Sequence, residues 1–291
     1  MAEVSVVIPV YNGERYIKES VGCVLNQTFK DVEVIVVDDA SRDRTQDVVY
    51  ENFGELIGEG KIKYMRNERN MERAFSRNVG FENSSGEYVF FLDHDDLWKE
   101  NHIEEVLKAF PGYDVVYSFP RSFIDDGSQV FRRSGKRIKP LEETIFSGNI
   151  GYPSASAFRR ESFPGYNGNF IMREDWEIFI RSYLEGLKIR IVDSDTVLIR
   201  EHPHRTSRSK LFLEATKAVY EAYKDKVPEE CLPHFLLHIS DVAFRFGDFR
   251  TGYRVFFEAV SKKPSILADR RNLLNFLKRG FRLDRFLGFR A

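Results

Sequence analysis

The chain has 291 residues, with 44 basic and 45 acidic side chains and a hydrophobic fraction of 42%. This composition is that of a globular protein and excludes disordered, collagen-like and disulfide-rich chains. The two cysteines, Cys23 and Cys231, form no CxxC pair, so we expect neither a zinc knuckle nor a disulfide framework. No apolar run approaches the roughly 20 residues of a membrane span and no secretory leader is visible, which predicts a cytoplasmic protein.

Apolar runs rich in β-branched and aromatic residues alternate with stretches of helical periodicity over the first 120 residues. The runs predict strands that are buried on both faces. The predicted strands are residues 4–10, 32–37, 62–65, 88–92 and 115–119. The predicted helices between them are residues 16–25, 44–53, 72–81 and 101–110. We therefore predict an α/β fold with a Rossmann-like, mostly parallel sheet flanked by helices.

The pattern loosens after residue 120. Residues 121–169 are rich in Gly, Ser and Pro, which predicts hairpins and long loops around a cleft. A predicted helix and two short strands follow at residues 176–184, 189–192 and 197–199. The last predicted elements are helices at residues 211–223, 233–246, 252–260 and 266–277. We therefore predict an α/β domain over residues 1–205 and a helical C-terminal region over residues 206–291.

The charge is distributed unevenly along the chain. Residues 1–200 carry 26 basic and 34 acidic side chains, whereas residues 201–291 carry 18 and 11. Residues 262–291 alone carry 9 basic and 2 acidic side chains. The asymmetry predicts different partners for the two parts of the chain.

Acidic residues collect where the predicted strands end. The motif FLDHDD places Asp93, Asp95 and Asp96 directly after the strand at residues 88–92. In a doubly wound sheet, ligands bind at this edge. Close carboxylates repel one another unless a divalent cation or a helix N-terminus offsets their charge, so one interpretation is a metal site. The other is that Asp95 or Asp96 caps the helix that follows Trp98.

Two further acidic pairs have a similar ambiguity. Asp38 and Asp39 follow the second strand, where a carboxylate can accept from a uracil N–H or from ribose hydroxyls. The alternative is that Asp39 or Ser41 starts the next helix. Glu174 and Asp175 stand before the helix that contains Trp176. An acid there is stabilised by the helix dipole, or acts as a general base if it opens into a cleft.

Several common nucleotide and hydrolase motifs are absent from the sequence. It contains no GxxxxGK[ST], no GxGxxG after a strand, no GxSxG and no HExxH. The sequence therefore lacks the motif residues of P-loop hydrolases, dinucleotide enzymes, serine hydrolases and zincins. A phosphate bound by this chain would have to be held by a metal ion.

A series of motifs in a fixed order resembles the family 2 inverting glycosyltransferases, which have a GT-A fold. The motifs are the run from VSVVIPVYNGERY to VIVVDDASRDRT, the triplet SRN, GEYVFFLDHDD and REDWEIFIR. The resemblance spans roughly residues 4–202 and does not cover the C-terminal helices. It implies an enzyme that transfers a sugar from a nucleotide-diphospho sugar, expected to be a UDP-sugar, to a hydroxyl of a glycan or lipid-linked saccharide. Residues 1–205 would be its nucleotide-sugar-binding catalytic domain.

The resemblance also assigns roles to individual residues. The nucleotide would be bound by Pro9, Tyr11, Asn12, Asp38, Asp39 and Arg77. Asp93 and Asp95 would be the DXD pair, in contact with ribose and with the Mn²⁺ or Mg²⁺ that bridges the diphosphate. Asp175 would be the catalytic base. His202 would contact the metal or the diphosphate, with His204 as its rival.

The sequence departs from the family pattern beside the donor. Where many relatives have N-x-G ahead of an ARN triplet, this chain has Asn70, Met71 and Glu72, followed by SRN at residues 76–78. We therefore expect the loop near the donor to differ from that of the relatives.

Two other functions fit parts of the pattern. A sugar-nucleotide nucleotidyltransferase also pairs a Rossmann-like sheet with a metal ion, but the chain has no glycine-rich, basic loop after the first strand to hold a nucleoside triphosphate. A non-catalytic nucleotide-sugar or glycan-binding protein would bind the same ligands without turnover.

The last thirty residues mix leucine and phenylalanine with lysine and arginine. Such a segment can lie on an anionic membrane, which would suit a lipid-linked acceptor and place the protein at the inner face of the cell membrane. The alternative is a helix packed on the rest of the protein with its charges in water. Nucleic acid is not an expected partner, because no nucleic-acid-binding motif accompanies the basic residues.

Overall fold

The structure is a computed structural model that describes residues 2–132, 138–201 and 209–283. The strands in this part of the chain are β1 (Val4–Val10), β2 (Val32–Asp38), β3 (Ile62–Arg66), β4 (Tyr88–Phe91), β5 (Leu97–Trp98), β6 (Val115–Ser118), β7 (Ser122–Asp125), β8 (Val130–Arg132), β9 (Ser156–Arg159), β10 (Ile189–Val192) and β11 (Val197–Glu201). The helices are α1 (Ile17–Leu25), α2 (Thr45–Gly58), α3 (Arg73–Glu82), α4 (His102–Leu107), α5 (Leu141–Phe146), α6 (Glu174–Leu184), α7 (Lys210–Tyr223), α8 (Leu232–Arg245), α9 (Phe249–Lys262) and α10 (Arg270–Gly280).

The larger of two sheets has seven strands in the order β10-β6-β9-β4-β1-β2-β3. All neighbouring strands in it are parallel except β9, which runs antiparallel to both β4 and β6. A second sheet has the order β5-β11-β7-β8. The predicted fold class, an α/β fold with a mostly parallel sheet flanked by helices, is confirmed.

The central strand β1 shows how the sequence makes an opening at the edge of the sheet. All seven of its residues are buried, as expected of a strand with neighbours on both sides and helices on both faces. Its last pair with β4 is Val7 with Phe91, so Pro9 lies beyond the end of that ladder. A proline cannot donate a ladder hydrogen bond, and none is required of it on that side. Strands β1 and β4 therefore part after Val7, next to the acidic motif that follows β4.

The main difference from the predicted elements is β9, which lies between β4 and β6 in the larger sheet. The sequence predicted only hairpins and loops over residues 121–169. The segment Ser156–Arg159 has just four residues, and because it is buried in the middle of the sheet it has no alternating pattern to reveal a strand. Another difference is that α6 begins at Glu174, two residues before the predicted start.

The chain divides into two compact units. The first consists of Met1–Ile138 and Tyr152–Pro203, and the second of Lys139–Gly151 and His204–Ala291. The segment Lys139–Gly151, which the sequence analysis placed in the α/β domain, belongs to the second unit because its helix α5 packs against α8. No helix in the described part of the chain is both long enough and apolar enough to cross a membrane.

Helix α3 packs on β1 and β2 through a glycine, which yields a stability prediction. A Cβ atom at Gly80 would lie 2.3 Å from Cγ1 of Val7, so we expect Gly80→Ala to lower the free energy of unfolding by about 2 kcal/mol. The matched control is Gly54→Ala in α2, where nothing lies within 4 Å of the added Cβ and a gain of about 0.5 kcal/mol is expected. Urea unfolding measures both, and equal effects would contradict the close packing of α3.

Candidate active site

The loops after β1 and β2 are tied together at one edge of the larger sheet. The two strands are parallel, so their carboxyl ends meet at this edge. The main-chain N–H of Asn12 donates to Oγ of Ser41 at 2.9 Å, and the N–H of Arg42 donates to Oδ1 of Asn12 at 2.8 Å. Pro9 is buried beneath these loops, whereas the Tyr11 side chain is 38% exposed. Tyr11 therefore presents an aromatic surface at the edge where a nucleoside was predicted.

Asp38 is fully buried and already has three hydrogen-bond partners. It accepts from the N–H of Ser41 at 2.7 Å, the hydroxyl of Tyr64 at 2.6 Å and Nη1 of Arg66 at 3.1 Å. Burial and the Asp38 carboxylate together raise the pKa of the Tyr64 hydroxyl. These bonds make Asp38 an anchor for the loop after β2.

Asp39 fixes the segment that departs from the family pattern. Its Oδ1 accepts from the side-chain amide of Asn67 at 2.7 Å and from the main-chain N–H of Met71 at 2.8 Å. The next residue, Glu72, has φ 70° and ψ 161°, a backbone conformation that is strained for any residue with a Cβ atom. The glutamate thus occupies a conformation that glycine adopts more readily, at the position of the glycine in the N-x-G pattern.

Arg77 joins the acidic motif after β4 to the start of α6. Its guanidinium is 1% exposed; Nη2 donates to Oδ1 of Asp93 at 2.6 Å and Nη1 donates to Oε1 of Glu174 at 2.9 Å. Glu174 is also buried, whereas the Asp93 side chain is 28% exposed. The ring of Tyr166 lies 5.0 Å from the guanidinium carbon. One buried cation therefore holds residues from α3, from the end of β4 and from α6 in a single cluster.

Asp96 and Arg200 set the shape of the turn that carries Asp93 and Asp95. The carboxylate of Asp96 accepts from Oγ of Ser154 at 2.6 Å and from the N–H of Arg200 at 2.8 Å. Arg200 also donates through Nε to the main-chain oxygen of Asp95 at 2.7 Å. Burial, and then the charges of Asp95 and Asp93, raise the pKa of Asp96 well above its usual range. The three acids are thus close enough to repel one another.

Asp175 lies in the first turn of α6, beside the Glu174 that contacts Arg77. Burial and the neighbouring Glu174 carboxylate raise the pKa of Asp175 to about 7, and the nearby guanidinium groups of Arg173, Arg77 and Arg73 oppose the rise. A carboxylate with a pKa near neutrality is suited to accept a proton from a hydroxyl group.

The helix-capping interpretation fails for the acids after β2 and β4. Helix α4 begins at His102 after Asn101, so neither Asp95 nor Asp96 is near its cap position. Helix α2 begins at Thr45, well beyond Asp39. These acids are held by side chains and loops instead, which leaves their position at the sheet edge to be explained by another role.

The donor set of the predicted metal site fits a hydrated divalent cation. Asp93 and Asp95 supply carboxylate oxygens, which Mn²⁺ and Mg²⁺ prefer, and the repulsion within the acidic motif is what a cation would relieve. Over residues 2–132, 138–201 and 209–283, no three His, Cys, Asp or Glu side chains are grouped as a metal site. Two carboxylates are enough for Mg²⁺ when substrate phosphates and water complete its coordination. His202 and His204 lie outside the described residues.

Two residues of this cluster, Ser154 and Arg200, were not among the predicted site residues, and the contact of Glu174 with Arg77 was not predicted either. Ser154 donates to Asp96 and accepts from the N–H of Asp93 at 3.0 Å. It lies in a 3₁₀ helix of three residues, Pro153–Ala155, which is too short to show periodicity. Arg200 precedes the predicted histidine in the motif IREH, and that motif was the one available signal for it. A buried arginine in a strand demands acidic or carbonyl partners, but the sequence does not say which.

Solved structures with a similar fold include S. aureus TarS and an archaeal mannosyltransferase. S. aureus TarS 1–349 covers 99% of this chain and 93% of its own, with a TM-score of 0.61 and 17% identity. The same protein with UDP-GlcNAc gives a TM-score of 0.57 at the same coverage and identity. Pyrobaculum calidifontis mannosyltransferase PcManGT, in complex with GDP-Man and Mn²⁺, covers 96% of this chain and 87% of its own, with a TM-score of 0.56 and 17% identity. The chain therefore has an α/β fold similar to that of GT-A glycosyltransferases.

Sequence comparisons agree with the fold. The sequence model of Glycosyl transferase family 2 matches residues 5–167, and the chain belongs to this family. Streptococcus pneumoniae glycosyltransferase GlyG is 25% identical over 268 residues, which cover 86% of this chain and 87% of GlyG. An uncharacterized glycosyltransferase of Rickettsia bellii is 36% identical over 153 residues, 51% of this chain. The match spans only 20% of the length of that Rickettsia protein.

Proposed function

We propose that this chain is a metal-dependent, inverting glycosyltransferase that moves a sugar from a UDP-sugar to a hydroxyl of a glycan or lipid-linked saccharide. The observation that carries the proposal is the contact of Arg77 with both Asp93 and Glu174. An inverting transfer needs one acid on the leaving-group side and a second acid on the acceptor side. The buried guanidinium brings the DXD motif and the start of α6 together, which supports assigning these two roles to one cleft.

On the acceptor side, Asp175 is the proposed base. A hydroxyl that attacks the anomeric carbon must lose its proton, and a carboxylate with its pKa raised to about 7 takes that proton more readily than an ordinary aspartate. The attack comes from the face opposite the nucleotide, so the configuration at the anomeric carbon inverts and no enzyme nucleophile is required. Glu174 and Arg77 hold the start of α6 in place for this step.

On the donor side, Asp93 and Asp95 would hold the divalent cation. When bound, the cation offsets the charge that grows on the departing diphosphate. Tyr11, Asn12 and Asp39 are proposed to line the nucleoside pocket. The uracil assignment draws support from the UDP-GlcNAc complex of TarS, whose fold this chain shares, and the metal assignment from the Mn²⁺ complex of PcManGT.

The decisive test is sugar transfer by Asp175→Asn. With a UDP-sugar panel and a saccharide acceptor, we expect turnover to fall about 10²- to 10⁴-fold, the usual contribution of a general base. Wild-type turnover should rise with pH up to about 7 and then level off, because the base must be deprotonated. The matched control is Asp47→Asn, an exposed acid in the first turn of α2, which should leave turnover unchanged.

The same variant has a second readout that a merely misfolded protein would not give. The raised pKa means that folded Asp175 holds its proton above the pH at which the unfolded chain loses it, so its contribution to stability falls between about pH 4 and pH 7. Asparagine does not titrate. At pH 8, Asp175→Asn should therefore unfold at a higher urea concentration than wild type. The difference between the two urea midpoints should be smaller at pH 5. Full activity of this variant would contradict the assignment of Asp175 as the base. Release of pyrophosphate by wild type would instead favour a nucleotidyltransferase.

Thermal shifts test the donor and the metal. At saturating concentration we expect UDP with Mn²⁺ to raise the melting temperature by about 5 °C, more than GDP, CDP or dTDP and more than UDP alone. Asp95→Asn should lose the increment that depends on Mn²⁺ and keep the stabilisation by UDP alone. Asp47→Asn again serves as the control. Stabilisation by UDP that is indifferent to Mn²⁺ in wild type would contradict the role given to Asp95.

We further propose that α10 contacts an anionic membrane, where a lipid-linked acceptor would lie. Leucine side chains along one side of this helix are exposed: Leu273 by 38%, Leu274 by 62% and Leu277 by 37%. Phe281, just after the helix, is exposed by 56%. The segment 262–291, which contains this helix, carries the 9 basic and 2 acidic side chains noted above, and its net positive charge is complementary to acidic lipid headgroups.

Liposome sedimentation checks this contact. The double variant Leu274→Glu, Leu277→Glu should bind vesicles of phosphatidylcholine and phosphatidylglycerol at least tenfold more weakly, because it removes apolar burial and adds repulsion. Leu211→Glu, at a leucine 66% exposed on α7, is the matched control and should bind as wild type does. Equal vesicle binding by wild type and the double variant would overturn the proposal. So would wild-type binding that does not weaken when the acidic lipid is left out.

A further inference from the structure

The second unit contains a cavity of about 360 Å³ between α5, α8 and α10. It is built entirely by residues of that unit and includes none of the residues assigned to sugar transfer. One wall is a tight turn after α5, in which Gly148 has φ +65° and a Cβ atom would lie within 2.7 Å of the ring of His238. Only glycine permits the main chain to lie directly on this imidazole.

The lining of the cavity argues against a lipid chain as its occupant. Eleven of the sixteen lining residues are polar, and they include the carboxamides of Asn149, Asn272 and Asn275. The imidazoles of His234 and His238 lie on the same surface of α8, one turn apart. An apolar ligand would strip water from these groups without replacing their hydrogen bonds.

The charged groups of the cavity largely compensate one another. Lys139 donates to Glu143 and, at 3.1 Å, to Asp269, and Arg279 donates to Asp241. Nδ1 of His234 lies 3.8 Å from Glu143, and burial lowers the pKa of His234, which favours the neutral imidazole. A lining of compensated charges gives little net attraction for an anion or a cation. It suits a neutral ligand that both donates and accepts hydrogen bonds.

Aromatic rings form the apolar part of the lining. Phe256 and Phe276 are stacked with ring centroids 3.7 Å apart, and Phe244 lies 5.9 Å from Phe276. A sugar ring has this same division, with hydroxyl groups around its edge and C–H groups on its faces, and C–H groups pack favourably on aromatic rings. The volume lies within the range of small-molecule pockets.

We propose that this cavity is a second saccharide site, which binds one or two sugar units of the acceptor glycan. The proposal rests on the proposed function, since it takes the acceptor to be a glycan. A second contact with the same polymer raises the effective concentration of the acceptor at the site of transfer without any change in chemistry. The site would therefore favour long acceptors over short ones.

Ligand-observed NMR tests the cavity directly. Saturation transfer from the full chain is measured to glucose, galactose, mannose, N-acetylglucosamine and to the disaccharides maltose, cellobiose, lactose and chitobiose. The variants are Asn275→Trp, which puts a larger side chain at an exposed position of the lining, and Asn275→Ala, which removes the carboxamide alone. Leu211→Ala, at an exposed leucine of α7 outside the cavity, is the matched control. Asp175→Asn supplies a chain without the proposed base.

We expect at least one saccharide to bind wild type, Leu211→Ala and Asp175→Asn equally. It should bind Asn275→Ala about fivefold more weakly and should not bind Asn275→Trp. In transfer assays Asn275→Trp should raise the KM for a polymeric acceptor and leave kcat unchanged. Saccharide binding that persists in Asn275→Trp, or the absence of any binding to wild type, overturns the second site. Transfer by wild type in that case leaves the proposed function intact. If saccharide binding depends on Asn275 but the wild-type protein transfers no sugar, the proposed function is overturned instead.

Discussion

The buried guanidinium of Arg77 is the interaction on which the candidate site depends. A charge removed from water requires opposite charges and hydrogen bonds to offset its lost hydration, and Asp93 and Glu174 supply these to the two Nη atoms of Arg77. Because its partners come from the end of β4 and from α6, the burial of one side chain fixes the spacing of two acidic motifs that are 81 residues apart in sequence. The geometry of the cleft is therefore inseparable from the stability of the first unit.

Much of this arrangement could be predicted because it follows from burial. Strand β1 is apolar at every position except Ser5, because both its faces and both its edges are covered. Strand β10 was predicted with the bounds it has, Ile189–Val192. The acids after β2 and β4 could be placed at one edge because parallel strands present their carboxyl ends together. The membership in Glycosyl transferase family 2 came from the order of motifs rather than from any one of them.

The rest could not be read from local sequence because it depends on partners that are distant in the chain. Asp38 and Asp39 look alike in sequence, yet Asp38 is enclosed by Tyr64 and Arg66 while Asp39 holds the loop at Met71. The elevated pKa of Asp175 arises from burial that only the folded α6 provides. Strand β9 is defined by its two neighbours and not by its own four residues.

The division of the chain into discontinuous units has a consequence for its synthesis. Helix α5 is made as part of the early chain, but Phe146 packs on Phe235 of α8, with ring centroids 6.2 Å apart. At the usual pace of a ribosome, roughly 5 to 20 s pass between the appearance of α5 and the completion of α8. During that interval the apolar side of α5 is left without its partner. A protein made from a gene fragment that stops at the end of the α/β sheet would leave the apolar side of α5 permanently without its partner.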